Sequence, residues 1–294
     1  MQGSLCLSRG VLYVGVQAMT AHVRAFDLDG EPLEAGFSFR APDGGRAAVS
    51  GLALDEDHRL WVADAASRSL RAFTLFGAEV ASVAGVASER GDGSDRRGEL
   101  GVPVDVVTWG SDEAQELCVA SGGERRHALQ MLSPLTGRGA SLRSLGDPNG
   151  RFRGLRRVAR SGRFTWVCEP GAGRVQVFRD GEFHFQFRLP VAGGAAFEPR
   201  AVALLADGRA VLAHGGEHSA LLLVDASGRL LAHLAAAGDE EGSVREPNDV
   251  VVEPGADDRA TRVAVIDSDG ERIQVFTLGG RCYGSFASLP GAPA

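Results

Sequence analysis

The sequence has no lysine, and all 31 of its basic residues are arginine. It also has no basic excess, because 38 acidic residues give a formal net charge of −7 at pH 7. Domains that bind nucleic acid usually carry a strong positive charge, so this composition argues against a general nucleic-acid binder. We attribute the missing lysine mainly to nucleotide composition, although arginine also favours forked contacts with carboxylate and phosphate groups.

Long apolar runs and cysteine pairs are also scarce. No apolar run approaches the ~18 residues that a membrane-spanning helix needs, and the N-terminus lacks a basic stretch followed by a long apolar segment. The sequence therefore predicts neither a membrane span nor a signal peptide, and we expect a cytoplasmic protein. The four cysteines show no CxxC spacing, so we expect reduced, packed thiols at Cys6, Cys118, Cys168 and Cys282.

One unit recurs along the chain. Its clearest copy runs from Val263 to Phe276 as VAVIDSDGERIQVF, in which two alternating apolar runs flank a polar turn. This pattern predicts two strands joined as a hairpin. Related segments end at Phe178 and at Gly77, and a period of about 40 to 50 residues is typical of propeller blades.

Six units fit the chain, at approximately residues 3–40, 49–84, 102–143, 155–190, 199–235 and 247–288. The third unit is degenerate and contains the unusual loop GGERRH. A Gly-rich lead, a proline, a strand ending in Val-Ala-Asp and a run such as Arg-Ile-Gln-Val-Phe resemble NHL repeats, best in 242–276, 51–73 and 150–178. That resemblance implies an all-β protein, a six-bladed β-propeller of four-stranded antiparallel blades. We expect the ring to close between whole blades.

Recurring residues have structural explanations in such a ring. Blades bury their faces only against neighbours, so we expect matching aromatic positions to pack between blades: Trp61, Trp166, Phe73, Phe178 and Phe276. An acidic residue ends the second strand in three units, at Asp64, Glu169 and Asp267. We expect these carboxylates to accept backbone N–H groups, and we expect Glu169–Arg174 and Asp267–Arg272 ion pairs.

The repeat alignment places one residue pair from each unit at the mouth of the central channel. The pairs are Gly3 and Ser4, Ser50 and Gly51, Val104 and Asp105, Arg156 and Arg157, Arg200 and Ala201, and Asn248 and Asp249. Three of these residues are predicted anion anchors, namely Arg156, Arg157 and Arg200. Three others are predicted to orient a ligand by hydrogen bonding, namely Asn248, Asp249 and Asp105. The hairpin turns add His214 and Glu169 as further candidates.

The sequence leaves other interpretations of these residues open. The arginines are alternatively solvated, as part of the basic run from Arg143 to Arg163, or paired with Asp249 and Glu169. A local arginine patch also keeps open the RNA binding of some NHL propellers.

Two classes of propeller enzyme have metal ligands that can be sought in this sequence. Gluconolactonase-like propellers hold a divalent metal with Glu, Asn and Asp, but only Asn248, after Pro247, matches that pattern here. Propellers similar to peptidyl-hydroxyglycine lyase hold zinc with histidines, and here only His214 and His218 are close in sequence. The sequence therefore predicts no cofactor and no metal site. We expect a non-enzymatic platform for a protein partner or a small acidic ligand, with a metal-assisted hydrolase or lyase as the alternative and membership of a larger assembly left open.

Overall fold

The computed structural model describes residues 3–17, 20–84, 100–109, 116–122, 128–136, 139–142, 152–268 and 271–288. Within these residues, the strands form six sheets, and each sheet contains four consecutive antiparallel strands. The loop GGERRH and the start of the basic run at Arg143 lie largely outside the described residues. The prediction of an all-β, six-bladed propeller is confirmed.

The blades follow one another along the chain. Blade 1 contains β1 (Gly3–Ser8), β2 (Val11–Gln17), β3 (Ala21–Phe26) and β4 (Pro32–Phe39). Blade 2 contains β5 (Val49–Leu54), β6 (Leu60–Asp64), β7 (Ser69–Phe73) and β8 (Glu79–Ala84). Blade 3 contains β9 (Val102–Trp109), β10 (Glu116–Gly122), β11 (Ala128–Leu132) and β12 (Gly139–Leu142).

The second half of the ring repeats this plan. Blade 4 contains β13 (Arg157–Ser161), β14 (Phe164–Glu169), β15 (Arg174–Arg179) and β16 (Glu182–Phe187). Blade 5 contains β17 (Pro199–Leu204), β18 (Ala210–His214), β19 (Ala220–Val224) and β20 (Leu230–Ala235). Blade 6 contains β21 (Asp249–Glu253), β22 (Arg262–Asp267), β23 (Arg272–Thr277) and β24 (Cys282–Ala287). Single 3₁₀ turns occupy Pro170–Ala172 and Ala192–Gly194.

The ring closes between whole blades, as expected. The first strand of each blade is the inner one, and β1 contacts both β5 and β21, so the first blade lies beside the last. Because the six inner strands enter from the same end, their first residues form a ring around one mouth of the central channel. The turns between the second and third strands lie at the same end.

The core consists of six apolar clusters, one between each pair of adjacent blades. The repeated aromatic residues belong to five different clusters, and all five are buried: Trp61, Phe73, Trp166, Phe178 and Phe276. Their predicted role in packing between blades is confirmed. Since every apolar face is covered by a neighbouring blade, stability is a property of the whole ring.

A buried carboxylate at the end of the second strand ties each of three blades to the incoming chain. Asp64 accepts the N–H of Ala48 at 2.8 Å, and Asp267 accepts the N–H of Glu246 at 2.7 Å. Glu169 accepts the N–H of Arg153 at 2.5 Å. We call these three carboxylates the staples. Each holds the segment that leads into the inner strand of its own blade.

Two of the staples, Glu169 and Asp267, form the predicted ion pairs. Arg174 Nε lies 2.8 Å from Glu169 Oε2, and Arg272 Nη2 lies 2.7 Å from Asp267 Oδ2. In each pair the arginine is the first residue of the third strand and faces the acid directly across the hairpin. The carboxylates are fully buried, so these pairs are shielded from solvent.

Among the described residues, no helix has the length and apolar character that a membrane span requires.

The cysteines Cys6, Cys118, Cys168 and Cys282 are free, and burial raises the pKa of the Cys6 and Cys118 thiols to about 12. These two thiols are therefore protonated and unreactive at neutral pH.

Replacing Asp267 with alanine is expected to lower the melting temperature by several degrees. The substitution leaves the N–H groups of Arg245 and Glu246 and the Arg272 guanidinium without their buried acceptor. Breaking a buried pair of this kind costs about 3 kcal/mol or more. The control is Asp43→Ala, because Asp43 is exposed and bonds only locally to Gly45. Equal melting temperatures for the two variants in a thermal scan would contradict the staple role.

Candidate functional site

Local backbone irregularities aim the mouth residues at the channel. In blade 5, Pro199 pairs with His214 and Ala201 pairs with Ala213, so Arg200 is an extra residue without a partner. The same arrangement isolates Ser50 in β5 and Val104 in β9. A β-bulge redirects the side chain of its extra residue, so in these three blades it places one variable side chain at the mouth, which is Ser50, Val104 or Arg200.

The channel below the mouth is occupied by the guanidinium of Arg157. This side chain starts in blade 4 and donates hydrogen bonds to the carbonyl oxygens of Gly3 in blade 1, at 2.9 Å, and of Ser50 in blade 2. Its Nη1 lies 3.7 Å from Asp105 Oδ1 in blade 3, and its Nε lies 3.2 Å from Asp249 Oδ1 in blade 6. One cation therefore links five blades.

The two carboxylates around Arg157 also bond to the backbone. Asp249 Oδ2 accepts the hydroxyl of Ser4 at 3.1 Å and the N–H of Leu5 at 2.9 Å. Asp105 Oδ2 accepts the N–H of Val158 at 2.8 Å. Each carboxylate thus joins its inner strand to the inner strand of a neighbouring blade.

The channel centre carries one positive and two negative groups. Burial and, to a smaller extent, the negative charge of Asp249 together raise the pKa of Asp105 to about 7, against the lowering effect of Arg157. Burial alone lowers the pKa of Arg157, but Asp249 and Asp105 together raise it above the ordinary value. Two buried carboxylates sharing one guanidinium explain both directions.

These contacts revise the expected role of the pair Arg157 and Asp249 as ligand-binding groups. Arg157 is only 6% exposed, and Asp249 is also 6% exposed. Their polar atoms face other inner strands, and Asp105 is 5% exposed in the same cluster. The sequence alternative, in which an arginine pairs with Asp249, describes Arg157 correctly. Gly51 leaves room for this cluster, because a Cβ there would lie 2.6 Å from Asp105 Oδ1.

Arg200 lies at the mouth with acidic neighbours. Its Nη1 bonds to Glu246 Oε2, and its Nη2 lies 3.6 Å from Glu198 Oε2. The side chain lies over Gly215, where a Cβ would come within 1.9 Å of the Arg200 Nε. Sequence reasoning missed both acids. The available signal is that each directly precedes the proline before a mouth residue, as Glu198-Pro199 and Glu246-Pro247.

Arg156 has no carboxylate partner among the described residues. Its one hydrogen bond is from Nη2 to Asn248 Oδ1, at 2.6 Å, and it spans the mouth from blade 4 to blade 6. Burial and the positive charges of Arg157 and Arg200 together lower the pKa of Arg156 to about 10, against a smaller raising effect of Asp249. This guanidinium is therefore partly desolvated, next to other cations and without a counter-ion.

Asn248 adds an unused donor at the same place. A guanidinium only donates, so the amide atom that faces Arg156 is the oxygen, and the nitrogen points away. That nitrogen, Nδ2, is buried and has no hydrogen-bond partner among the residues that the structure describes. Unpaired buried donors are rare in proteins. Arg156 and Asn248 together form a patch with donors in excess.

The two candidates from the hairpin turns, Glu169 and His214, are buried and bond to other residues of the protein. Glu169 is fully buried, and its oxygens bond to Arg153, Arg174 and Gln176, which accounts for a structural role. His214 is 3% exposed and occupies the staple position of blade 5, where its Nδ1 accepts the N–H of Glu198 at 3.1 Å. Neither side chain lies in the patch formed by Arg156 and Asn248.

Within the described ranges, no group of three or more His, Cys, Asp or Glu side chains is arranged to hold a metal ion. The acids nearest the mouth, Glu198 and Glu246, pair with Arg200. The chemistry that the mouth offers is hydrogen-bond donation and positive charge, which suits a carboxylate or phosphate oxygen.

Comparison with known proteins agrees with this fold. No family model and no curated protein sequence matches the chain. Periplasmic gluconolactonase from Pseudomonas aeruginosa is 18% identical, with a TM-score of 0.58 over 100% of this chain and 86% of that one. A catalytically inactive virginiamycin B lyase from Staphylococcus aureus, solved with quinupristin, is 11% identical, with a TM-score of 0.61 over 99% and 85%. A chain of a nidogen/laminin complex is 13% identical, with a TM-score of 0.65 over 95% and 94%.

The chain is thus a six-bladed β-propeller. Identities this low show the fold and leave function to be argued from the site itself.

Replacing Arg157 with methionine is expected to destabilise the ring strongly. The substitution leaves the buried carboxylates of Asp105 and Asp249 without their cation, which costs about 3 to 5 kcal/mol for a broken buried pair. The matched control is Arg156→Met, one residue earlier, which removes a single hydrogen bond and no ion pair. Urea denaturation of both variants measures the difference, and equal losses would contradict the linking role of Arg157.

Replacing Asp105 with asparagine is expected to change how stability depends on pH. The pKa of Asp105 is about 7 in the folded protein and near 4 when unfolded, so the folded state binds more protons between these values. This carboxyl therefore makes the wild type less stable as pH rises from about 4 to 7. Relative to Asp105→Asn, the unfolding free energy of the wild type should fall across this window.

Urea titrations at a series of pH values measure that difference. The control is Asp225→Asn, because hydrogen bonds from Ser227 and Arg229 hold the pKa of Asp225 at about 2 in the folded protein. Its effect on stability should be constant above pH 5. A constant difference between the wild type and Asp105→Asn would show that Asp105 is already ionised at the acidic end.

Proposed function

We propose that this chain is a non-enzymatic propeller of the NHL type, whose channel mouth binds an acidic group of a protein partner or a small acidic ligand. The observation that carries the proposal is the donor patch at Arg156 and Asn248. Among the described residues the Arg156 guanidinium forms no ion pair and bonds to Asn248 Oδ1, and the Asn248 Nδ2 donor is buried without an acceptor. A carboxylate or phosphate supplies the negative charge that the Arg156 guanidinium lacks and the hydrogen-bond acceptor that the Asn248 amide lacks.

The surrounding charges support this site. Arg200 adds a third cationic side chain within electrostatic range of Arg156, although Glu246 and Glu198 balance it. The buried Arg157 cluster closes the floor of the mouth, so a ligand contacts the ring of mouth residues and does not enter the channel. The donor patch at Arg156 and Asn248 suits an acidic side chain at the surface of a partner.

Two further points belong to the proposal. A propeller of the same fold occurs in a nidogen/laminin complex, which supports a role for this fold in protein binding. The NHL assignment is supported by the repeated proline and Arg-Ile-Gln-Val-Phe pattern of the sequence. We also propose a cytoplasmic location.

The alternative is a metal-assisted hydrolase or lyase at the same mouth. Gluconolactonase and virginiamycin B lyase share the fold, but a divalent cation at the mouth would lie beside Arg156 and Arg200, which would repel it. The metal content of the purified protein tests this alternative. A stoichiometric divalent ion would favour the enzyme.

The binding test uses citrate and a hexaglutamate peptide as probes in isothermal titration calorimetry. Both should bind the wild type, more weakly as salt concentration rises, because the contact is electrostatic. Arg156→Ala should weaken binding about tenfold or more, equivalent to about 1.4 kcal/mol. The control Arg163→Glu changes an exposed arginine in the hairpin that joins β13 to β14, at the opposite end of blade 4, and should have no effect.

Asn248→Asp is the sharper variant. It replaces one amide with a carboxylate of the same shape 2.6 Å from the Arg156 guanidinium, so the protein supplies its own anion. We expect a higher melting temperature and loss of citrate and peptide binding. A partner captured from lysate by the wild type should also be lost. Retained binding by Asn248→Asp or by Arg156→Ala would show that the acidic ligand does not bind at this mouth.

A further inference from the structure

A second feature of blade 5 is unrelated to the channel mouth. A cavity of about 310 Å³ lies where blade 5 meets the connection from blade 4. Its walls are mainly apolar, from Leu189, Pro190, Val191, Ala220 and Leu222. Cavities of this size are in the range that holds small organic molecules.

The cavity exists because blade 5 departs from the repeat. In blades 4 and 6 the staple acid faces an arginine across the hairpin, as in Glu169–Arg174, and a glutamine follows two residues later, at Gln176 and Gln274. In blade 5 the corresponding residues are His214, Ala220 and Leu222. The long polar side chains that fill this space in the other two blades are therefore missing.

His214 carries an unused donor in this place. Its Nδ1 lies 3.1 Å from the backbone nitrogen of Glu198 and 3.4 Å from the carbonyl oxygen of the same residue. The shorter contact is the one with the N–H, which makes Nδ1 the acceptor and assigns the proton of the neutral ring to Nε2. Nε2 is buried and has no hydrogen-bond partner among the described residues. Burial lowers the pKa of His214, which favours the neutral ring. The ring lines the cavity, and an unpaired buried N–H costs about 1 to 3 kcal/mol unless it finds an acceptor.

The other residues that line the cavity limit the kinds of ligand that it can bind. His218 and His233 also line the cavity, and no carboxylate does. The hydroxyl of Ser219 is already engaged, because it donates to the carbonyl oxygens of Gly216 and Arg245. The cavity thus combines apolar walls with imidazole groups and a free N–H donor, and it offers no counter-ion for a cationic ligand.

We propose that this cavity binds a small, largely apolar molecule through a carbonyl or carboxylate oxygen that accepts a hydrogen bond from His214 Nε2. The apolar part of the ligand replaces the missing arginine and glutamine side chains against Ala220 and Leu222. This site is distinct from the donor patch at Arg156 and Asn248 and does not depend on it.

Three probes of one shape test the chemistry: benzoate, acetophenone and benzylamine. Benzoate and acetophenone carry an acceptor oxygen and should bind, and they should shift the His214 ring resonances in nitrogen-15 NMR spectra. Benzylamine has only a cationic donor and should not bind. If benzoate alone binds, the acceptor is a carboxylate, and if both bind, a carbonyl oxygen is sufficient. If neither benzoate nor acetophenone binds the wild type, the proposal is overturned.

Two variants of the cavity locate the binding. His214→Asn keeps an acceptor for the Glu198 N–H but removes the Nε2 donor, and it should weaken binding about tenfold or more. The triple variant His214→Glu, Ala220→Arg and Leu222→Gln copies the set that packs in blade 4, so it should fold while its side chains fill the cavity. It should abolish binding but leave citrate binding at the mouth unchanged. Probe binding that survives in both variants would overturn the proposed site.

Discussion

The fold of this propeller depends on one buried ion cluster at its axis. Arg157 extends from blade 4 and contacts blades 1, 2, 3 and 6 through two carbonyl oxygens and two carboxylates. Apolar clusters hold adjacent blades together in pairs, but this guanidinium joins blades that are not adjacent. Because Asp105 and Asp249 would be left buried without a counter-charge in its absence, the cluster specifies the ring as a whole. The same cluster occupies the channel below the mouth formed by the first residues of the inner strands.

The blade repeat has a second function besides packing. In blades 2, 4 and 6 the backbone that enters the inner strand donates to a buried carboxylate, which is Asp64, Glu169 or Asp267. In blade 5 the acceptor is the Nδ1 atom of His214. The backbone contact is therefore kept, although the residues that face this position across the hairpin differ from those in blades 4 and 6. A repeat protein can thus acquire a cavity in one blade at little structural cost, because the neighbouring blades carry the stability of the ring.

The sequence was sufficient to predict the architecture and the places where variation matters. Alternating apolar residues and turn signals recur six times, so the strands, the aromatic packing and the pairs Glu169–Arg174 and Asp267–Arg272 follow from local pattern and repetition. Repeat alignment also identified the ring of mouth residues. It could not assign roles within adjacent pairs. Arg156 and Arg157 look alike in sequence, yet one faces the mouth and the other the axis, because a one-residue step along a strand reverses the side chain.

Long-range partners explain the rest of what the sequence did not reveal. Glu246 pairs with Arg200 from 46 positions away, and the pKa of Asp105 is raised by burial in the assembled ring and by the approach of Asp249. Glu198 borders both candidate sites, since its N–H donates to His214 while its carboxylate approaches Arg200. Net charge of the whole chain is therefore a poor guide to either site. An acidic protein has donors in excess at both sites, because the carboxylates near the axis and in the staples are already paired, whereas Asn248 Nδ2 and His214 Nε2 have no acceptor among the described residues.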